Sequence, residues 1–268
     1  MSKIRVDRLL VERGLAESRS QAQRLVMAGQ VRADGQLVPK PATTVKPDAL
    51  LEVDQGPPFV SRGGEKLEAA LASFYLSVKG STCADVGAST GGFTDCLLQN
   101  GAKRVYAIDV GHGILHWKIR QDERVVVMER TNARNVERLP ETVDLITIDA
   151  SFISLKILLP VVKSWFPSSG GQVVALIKPQ FEAGRAEASR GSGVIRDPAV
   201  HRRVLRDLLN FAQQEEFSIL GLIRSPLLGP KGNIEFLVHL KFPGESSIDL
   251  ESLILLETTI PEQQGEVS

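Results

Sequence analysis

The spacing of apolar residues changes along the chain and separates a small N-terminal region from a larger one. Up to about residue 29 apolar residues recur at helical spacing, and Gly14 and Gly29 are placed to end two short helices. The segment "QVRADGQLV" that follows has two β-prone runs around Asp34-Gly35, a dipeptide that favours a tight hairpin turn. The pattern predicts a small α+β domain over residues 1–54.

A segment rich in Gly and Pro, residues 55–62, predicts an interdomain linker, and after it β-prone runs alternate with helical stretches. The runs are "TCADV", "RVYAIDV", "RVVVM", "VDLITID", "QVVALIK", "FSILGLIRS" and "NIEFLVHLKF", with helices expected at 65–77, 91–100, 154–165 and 197–215. Near-continuous Val, Ile and Leu in the strands favours a doubly wound, mostly parallel α/β sheet over residues 63–243. Residues 244–268 remain as an acidic tail.

Charge is balanced over the chain but not along it. The formal net charge is zero, whereas residues 1–46 hold nine Lys or Arg against four acids, and six acids with no Lys or Arg follow Phe242. A basic N-terminal region indicates an anionic partner, and nucleic acid is favoured over a membrane.

Cysteine and histidine usage gives no indication of a metal site. Cys83 and Cys96 lie in apolar segments and are expected to be reduced packing residues. His112 and His116 are four residues apart, but no third ligand is in view, so we expect no metal. The N-terminus lacks a signal-peptide core, and no apolar run approaches the ~20 residues of a membrane span, which favours a cytoplasmic protein.

Ligands of such sheets bind at the carboxyl ends of the strands, and these ends carry the candidate chemistry. The first strand leads into "DVGASTGGF", a glycine-rich turn before a helix, and the second ends in Asp109, 22 residues after Gly87. Both features fit a dinucleotide or S-adenosylmethionine, but the spacing departs from G-x-G-x-x-G, and an acid just before the glycines is typical of methyltransferases. The candidate cofactor contacts are Asp85, Gly87, Ser89, Gly91, Gly92, Phe93, Asp109 and Asn132.

Three further strand ends carry polar residues. Asn132 follows the third strand, where it either contacts an adenine edge or caps a helix. Asp149 ends the fourth strand and Lys178 the fifth. Each alone fits a structural ion pair, but opposite charges at two strand ends beside a cofactor site favour function, since burying unpaired charge costs several kcal/mol.

Motifs in both regions resemble known families. The N-terminal pattern of Arg5, Asp7 and Leu10, "SRSQA" and "GQVRADG" resembles the S-four-type RNA-binding domain. With "VSRGGEKL", residues 3–242 resemble the TlyA family, which is described both as hemolysins and as ribosomal RNA 2′-O-methyltransferases. The resemblance implies a Rossmann-like, FtsJ-like methyltransferase domain with the tetrad Lys66, Asp149, Lys178 and Glu235.

The resemblance also implies roles for the residues. Methylating a ribose hydroxyl requires a base, and Lys178 is expected to be that base, oriented by Asp149. Lys66 would lower the pKa of Lys178 or orient the hydroxyl, and Glu235 would hold Lys66 and the ribose. The implied cofactor is S-adenosylmethionine, and the implied partner is ribosomal RNA. The residues expected to contact the RNA are Arg5, Arg8, Arg19, Arg24, Arg62, Arg185 and Arg190.

Two alternatives stay open on the sequence alone. One is an RNA-binding ribosome-assembly factor that keeps a silent methyltransferase fold, against which the intact tetrad argues. The other is a membrane-active hemolysin, for which no spanning segment is evident. The segment 182–198, with Arg185 and Arg190, is either a solvated loop or a basic flap over the site. The oligomeric state and the target nucleotide are not specified by the sequence.

Overall fold

The computed structural model describes residues 3–54, 56–184, 187, 193–245 and 248–259, and the chain forms two compact units, residues 1–58 and 59–268. Arg185 and Arg190 lie outside the described residues.

The first unit is a small α+β fold. Its elements are β1 (Ile4–Arg5), α1 (Val6–Glu12), α2 (Arg19–Met27), β2 (Val31–Ala33), β3 (Gln36–Leu37), β4 (Thr44–Val45) and β5 (Leu51–Val53). Strands β1 and β4 pair antiparallel, and β3-β2-β5 form a second antiparallel sheet. The hairpin turn lies at Asp34-Gly35 with both residues at positive φ, which is the conformation that this dipeptide favours. Apolar faces of α1 and α2, including Val6, Leu10 and Val26, meet Val31 in the core.

The second unit contains a seven-stranded sheet. The strands are β6 (Thr82–Val86), β7 (Arg104–Ile108), β8 (Val125–Met128), β9 (Leu145–Ile148), β10 (Gly171–Ile177), β11 (Ser218–Arg224) and β12 (Phe236–Phe242). Their order is β11-β12-β10-β9-β6-β7-β8. Among these described strands, only β12 runs in the opposite direction to the others, so it pairs antiparallel with both β10 and β11. The mostly parallel sheet predicted from the sequence is confirmed.

Helices cover both faces of the sheet. They are α3 (Gly63–Ser73), α4 (Gly92–Gln99), α5 (Trp117–Arg120), α6 (Leu155–Val162), α7 (Pro179–Glu182), α8 (Pro198–Gln214) and α9 (Leu250–Thr258). Helices α3, α4 and α5 pack in one apolar cluster, which contains the free, buried Cys83 and Cys96, and α6, α8 and α9 pack in the other. The double winding directs the carboxyl ends of β6 to β10 to one edge of the sheet.

Helix α9 lies within the segment that the sequence set apart as an acidic tail. It packs against α8 and β11, with Ile254 fully buried. Two carboxylates tie it down: Glu251 pairs with Arg206 of α8, and Glu257 accepts a hydrogen bond from the Arg224 backbone N–H. Two acids of this segment therefore help to fix the helix Leu250–Thr258 on the core.

Candidate active site

The glycine-rich turn after β6 shapes the centre of the site. Gly87 has φ of +84°, and a Cβ atom there would lie 2.7 Å from the carbonyl oxygen of Asp149, so only glycine fits between the ends of β6 and β9. Gly91 has φ of +97° and is the residue immediately before α4, and a Cβ atom added there would lie 2.9 Å from Leu115 Cδ1. Gly92 faces the other way, toward Ser61 and Gly64 at the start of α3.

Two cavities open at this edge of the sheet and share Gly87, Ser89 and Asp149. The larger cavity, about 880 Å³, extends from the ends of β7 and β8 past β9 to α7. The smaller cavity, about 590 Å³, lies between the starts of α3 and α4 and the loop that carries Gly229. Because Asp149 lines both, the two cavities meet beside its carboxylate.

The end of β7 holds Asp109 in the wall of the larger cavity. Its Oδ2 accepts a hydrogen bond from the Ser89 backbone N–H at 2.8 Å and its Oδ1 accepts one from Gly111 at 2.7 Å. The carboxylate thus joins the glycine-rich turn to the loop after β7. Asn132 lines the same cavity and its Oδ1 accepts a hydrogen bond from the Arg134 N–H, so it caps a short helix while facing the cavity.

Lys178 and Asp149 form the first ion pair of the site. Lys178 directly follows β10, and its Nζ lies 2.6 Å from Asp149 Oδ1, which directly follows the neighbouring strand β9. The amine also donates to Ser151 Oγ at 2.9 Å. The Lys178 and Asp149 side chains are 10% and 22% exposed, and Asp149 lines both cavities whereas Lys178 lines neither.

Lys66 and Glu235 form the second ion pair. Lys66 projects from the first turn of α3, and its Nζ lies 2.7 Å from Oε2 of Glu235, which immediately precedes β12. The Glu235 side chain is fully buried, while Lys66 is 12% exposed and lines the smaller cavity. Gly229 makes room for this carboxylate, since a Cβ at Gly229 would lie 2.1 Å from Glu235 Oε1.

Asp85 occupies a different place from the other predicted cofactor contacts. It is fully buried beneath the glycine-rich turn and lines neither cavity, because β6 is covered on both faces. Its carboxylate accepts hydrogen bonds from Thr94 Oγ1 at 2.6 Å and Thr147 Oγ1 at 3.1 Å. Burial without a cation raises the pKa of Asp85 to about 7. Gly91 also lines neither cavity, whereas Gly92 and Phe93 line the smaller one.

The predicted RNA-contacting arginines divide into two groups. In the first unit, Arg5 and Arg19 both donate to the buried Asp7, whose pKa is held well below its usual range by the Arg5 guanidinium. Arg8 and Arg24 are exposed on α1 and α2. Arg62, in the second unit, is the residue immediately before α3 and lines the smaller cavity.

Several residues of the site were not singled out in the sequence. Ser151, Phe152, Gln180 and Phe181 line the larger cavity, and the rings of Phe152 and Phe181 lie 4.8 Å apart. Phe152 is 89% exposed and has φ of +64°, a conformation that aromatic residues rarely adopt. Ser151 and Gln180 stand two residues after Asp149 and Lys178, so adjacency to the strand ends was the signal available.

The histidines lie apart from any metal-ligand cluster in the described part of the chain. His112 Nδ1 contacts Glu129 and His116 caps α5 with its Nδ1. Within the same described residues, no group of three His, Cys, Asp or Glu is placed to hold a metal ion. Nor does any described helix have the length and apolar character to cross a membrane.

A Rossmann-like sheet with a glycine-rich turn after its first strand, an acid after its second and two lysine–carboxylate pairs at its edge defines a methyltransferase. The profile of the FtsJ-like methyltransferase family matches residues 59–242 and that of the S4 domain matches residues 4–51. The chain belongs to the FtsJ-like methyltransferase family, and within it to the TlyA proteins, which add an S4 RNA-binding domain.

Named relatives and a solved structure cover nearly the whole chain. The Mycobacterium tuberculosis 16S/23S rRNA (cytidine-2′-O)-methyltransferase TlyA is 44% identical over 94% of each chain. Hemolysin A of Brachyspira hyodysenteriae is 42% identical over 88% of this chain and 99% of its own. A solved structure from Streptococcus thermophilus has a TM-score of 0.70 at 44% identity and covers 96% of both chains.

Proposed function

We propose that this protein transfers a methyl group from S-adenosylmethionine to the 2′-hydroxyl of a cytidine in ribosomal RNA. The observation that carries the proposal is the meeting of two cavities at Asp149, with Lys178 paired to Asp149 and Lys66 paired to Glu235 beside it. One cavity suits a cofactor and the other leaves the same carboxylate accessible to a second reactant.

The residues of the larger cavity fit S-adenosylmethionine. Its volume, about 880 Å³, lies within the usual range for small-molecule sites. Asp109 would hold the cofactor ribose, the Asn132 amide nitrogen would face the adenine, and Gly87 would let the cofactor approach the backbone. When bound, the cofactor supplies an electrophilic methyl group. The polar groups that line this part of the cavity match its hydroxyls, amines and heterocycle.

The chain's own residues prepare the attacking oxygen. Lys178 would take the proton of the 2′-hydroxyl, which requires that the ammonium paired with Asp149 has first released its own proton to solvent. Asp149 and Ser151, which contact its Nζ, line the larger cavity and would keep the amine beside it. Lys66 would orient the hydroxyl, since it lines the smaller cavity and is itself fixed by the buried Glu235. Arg62, in the wall of the smaller cavity, is placed to meet an RNA phosphate that enters there.

The S4 domain would supply sequence-independent affinity for RNA. Because Arg5 and Arg19 are engaged by Asp7, the free cationic groups for phosphates are expected to be Arg8 and Arg24. Charge reversal at both positions should weaken binding to ribosomal subunits and make it less salt-dependent, with S-adenosylmethionine affinity unchanged. Arg138→Glu, an exposed change in the second unit, is the charge-matched control for each of the two reversals made singly.

The activity test uses purified full-length protein, S-adenosylmethionine carrying a labelled methyl group, and ribosomal subunits from cells that lack a TlyA protein. We expect label in ribosomal RNA and a new 2′-O-methyl cytidine at a mapped position. Binding to subunits without any methyl transfer would support an RNA-binding assembly factor instead, and methylation of a base would contradict the ribose assignment.

A further inference from the structure

One buried polar atom of the active site accepts no hydrogen bond within the described part of the chain. The side-chain carbonyl oxygen of Gln180, Oε1, is buried and accepts no hydrogen bond from any described residue. Gln180 is 8% exposed and lies in α7, two residues after Lys178, where it lines the larger cavity. Leaving such an acceptor unsatisfied is costly, so native proteins do so mainly where a ligand completes the bond.

The orientation of the Gln180 amide follows from its other contact. Nε2 donates to Glu235 Oε1 at 3.3 Å, and the second oxygen of Glu235 accepts from Lys66 at 2.7 Å. Turning the amide over would bring its carbonyl oxygen against the Glu235 carboxylate, two acceptors face to face. The ion pair therefore fixes the amide nitrogen toward Glu235 and leaves the oxygen as the unpaired atom.

The position of Gln180 in the sheet separates it from the cofactor residues. The proposed cofactor contacts Asp109 and Asn132 follow β7 and β8, on one side of the glycine-rich turn, whereas Gln180 follows β10, two strands away on the other side. The larger cavity continues past Asp149 to this side, where Phe152 and Phe181 line it. This arm of the cavity lies beyond the adenosine end and beside Asp149 and Ser151, the two contacts of the proposed base Lys178, where the methyl acceptor must be.

A nucleotide within an RNA chain offers few donors that could satisfy this oxygen. Its phosphate, ring oxygen and bridging 3′ oxygen only accept, and its 2′-hydroxyl proton is the one that Lys178 removes. The remaining donors belong to the base, and in cytosine the exocyclic amino group is the principal one. Uracil presents an acceptor, its O4, at the same position.

We infer that Gln180 is a specificity-determining residue whose Oε1 accepts a hydrogen bond from the 4-amino group of the target cytosine. The inference rests on the proposed function, because it needs a cytidine as methyl acceptor. It assigns the arm of the larger cavity to the base, while the RNA backbone passes through the smaller cavity. The same amide donates to Glu235, so one side chain would contact both the target base and a member of the tetrad.

The test compares two substrates with two enzymes. Ribosomal subunits are prepared with cytidine or with uridine at the mapped target position, and single-turnover methyl transfer is measured for wild-type protein and for Gln180→Leu. The wild-type protein should methylate the cytidine subunits about 10–100-fold faster, the usual effect of one unsatisfied buried partner. Gln180→Leu should slow both substrates by the factor that loss of the Glu235 contact causes, and cytidine by a further ~10–100-fold, so its preference falls to a few-fold.

Comparing two enzymes on two substrates separates recognition of the base by Gln180 from positioning of Glu235 by Gln180. If Gln180 only held Glu235 in place, Gln180→Leu would slow both substrates equally and keep the cytidine preference, which would overturn the inference. Gln180→Met, of similar shape, repeats the test should the leucine variant melt early, and Gln121→Leu, an exposed change, is the control. A wild-type protein that methylates neither subunit would contradict the proposed function itself, a result distinct from an unaltered preference.

Discussion

The two lysine–carboxylate pairs have nearly equal lengths, 2.6 and 2.7 Å, but they lie in different surroundings. Lys178 and Asp149 follow neighbouring parallel strands, and Asp149 is 22% exposed where the cavities meet. Lys66 and Glu235 are 169 residues apart in sequence and join a helix to the end of the sheet, with Glu235 fully buried. A carboxylate open to a cavity can meet a reactant, whereas a buried one mainly fixes its partner.

The difference separates the expected consequences of losing each pair. Breaking a buried pair leaves a charge without compensation, which destabilises the fold. Removing Asp149 likewise leaves a largely buried amine, since Lys178 is 10% exposed and Lys66 12%. The two losses of stability should therefore be similar, and the two pairs should differ in their effect on turnover, because of the two carboxylates only Asp149 lines the cavities.

The largest effect is expected at Lys178. Arginine keeps the positive charge and the contact with Asp149 but cannot lose its proton in a protein, so Lys178→Arg should lower single-turnover methyl transfer by ~10²–10⁴-fold. S-adenosylmethionine affinity, measured by calorimetry, should stay within a few-fold of wild type. The control is Lys103→Arg, at an exposed position. Near wild-type turnover in Lys178→Arg would rule Lys178 out as the base.

The second effect concerns stability and the Lys66–Glu235 pair. Glu235→Gln leaves Lys66 without its counter-charge and should lower the free energy of unfolding by about 3–5 kcal/mol. Glu141→Gln, which breaks the exposed pair with Arg104, should cost no more than about 1 kcal/mol. Urea unfolding followed through the buried Trp165 reports on the second unit.

Two further variants sharpen this comparison of the pairs. Asp149→Asn and Glu235→Gln should lower the free energy of unfolding by similar amounts, because each leaves a largely buried lysine without its carboxylate. Asp149→Asn should slow methyl transfer more, because Asp149 lines both cavities and Glu235 lines neither. Replacing both members of the buried pair, Lys66→Met with Glu235→Leu, should restore much of the stability without restoring activity. Equal losses of turnover in Asp149→Asn and Glu235→Gln would contradict this distinction between the two carboxylates.

Asp85 provides a third case, a buried carboxyl with no cationic partner among the described residues. Its pKa is raised from 3.8 in the unfolded chain to about 7 in the fold, mainly by burial. Between these values the native state keeps a proton that the unfolded state has released, so the free energy of unfolding falls as pH rises through this window. The loss levels off above pH 7 and amounts to at most about 4 kcal/mol at 1.36 kcal/mol per pKa unit.

Asn cannot titrate, so Asp85→Asn should lack this contribution. Its free energy of unfolding relative to wild type should increase between about pH 4 and pH 7 and then stay constant. Parallel curves for the two proteins across that range would show that Asp85 does not carry the proton. Asp144→Asn is a carboxyl control at the opposite end of the strands, where Asp144 accepts from the Thr82 N–H.

The sequence predicted those parts of the site that depend on strand ends. Apolar runs predicted the strands, and parallel winding brings their carboxyl ends together, so Asp149 and Lys178 could be expected to meet. The sequence predicted a cofactor contact at both Asp85 and Ser89, but Ser89 lines the cavities and Asp85 is buried beneath the turn. That difference depends on which helices cover β6, which the sequence pattern does not specify. Gln180 shows the same limit, since its partner Glu235 lies 55 residues away and the contact depends on the antiparallel β12 beside β10.

The smallest effect is expected at Asp109, the carboxylate of the adenosine end. Its two oxygens already accept from the Ser89 and Gly111 N–H groups, and each oxygen has a further lone pair for a ribose hydroxyl. Asp109→Ala should therefore weaken S-adenosylmethionine binding by ~1.5–3 kcal/mol, the usual contribution of a hydrogen bond to a charged group. Calorimetric titration measures the loss.

A part of that loss could come from the loops that Asp109 joins and not from the ribose. Titrating S-adenosylhomocysteine and its 2′,3′-dideoxy analogue into both proteins separates the two contributions, because the analogue lacks the hydroxyls that the carboxylate would bind. If Asp109 binds the ribose, the wild-type protein prefers the hydroxylated ligand and Asp109→Ala largely loses that preference. If Asp109 only orders the loops, the variant weakens both ligands equally, and the adenosine end of the cavity needs another ribose contact.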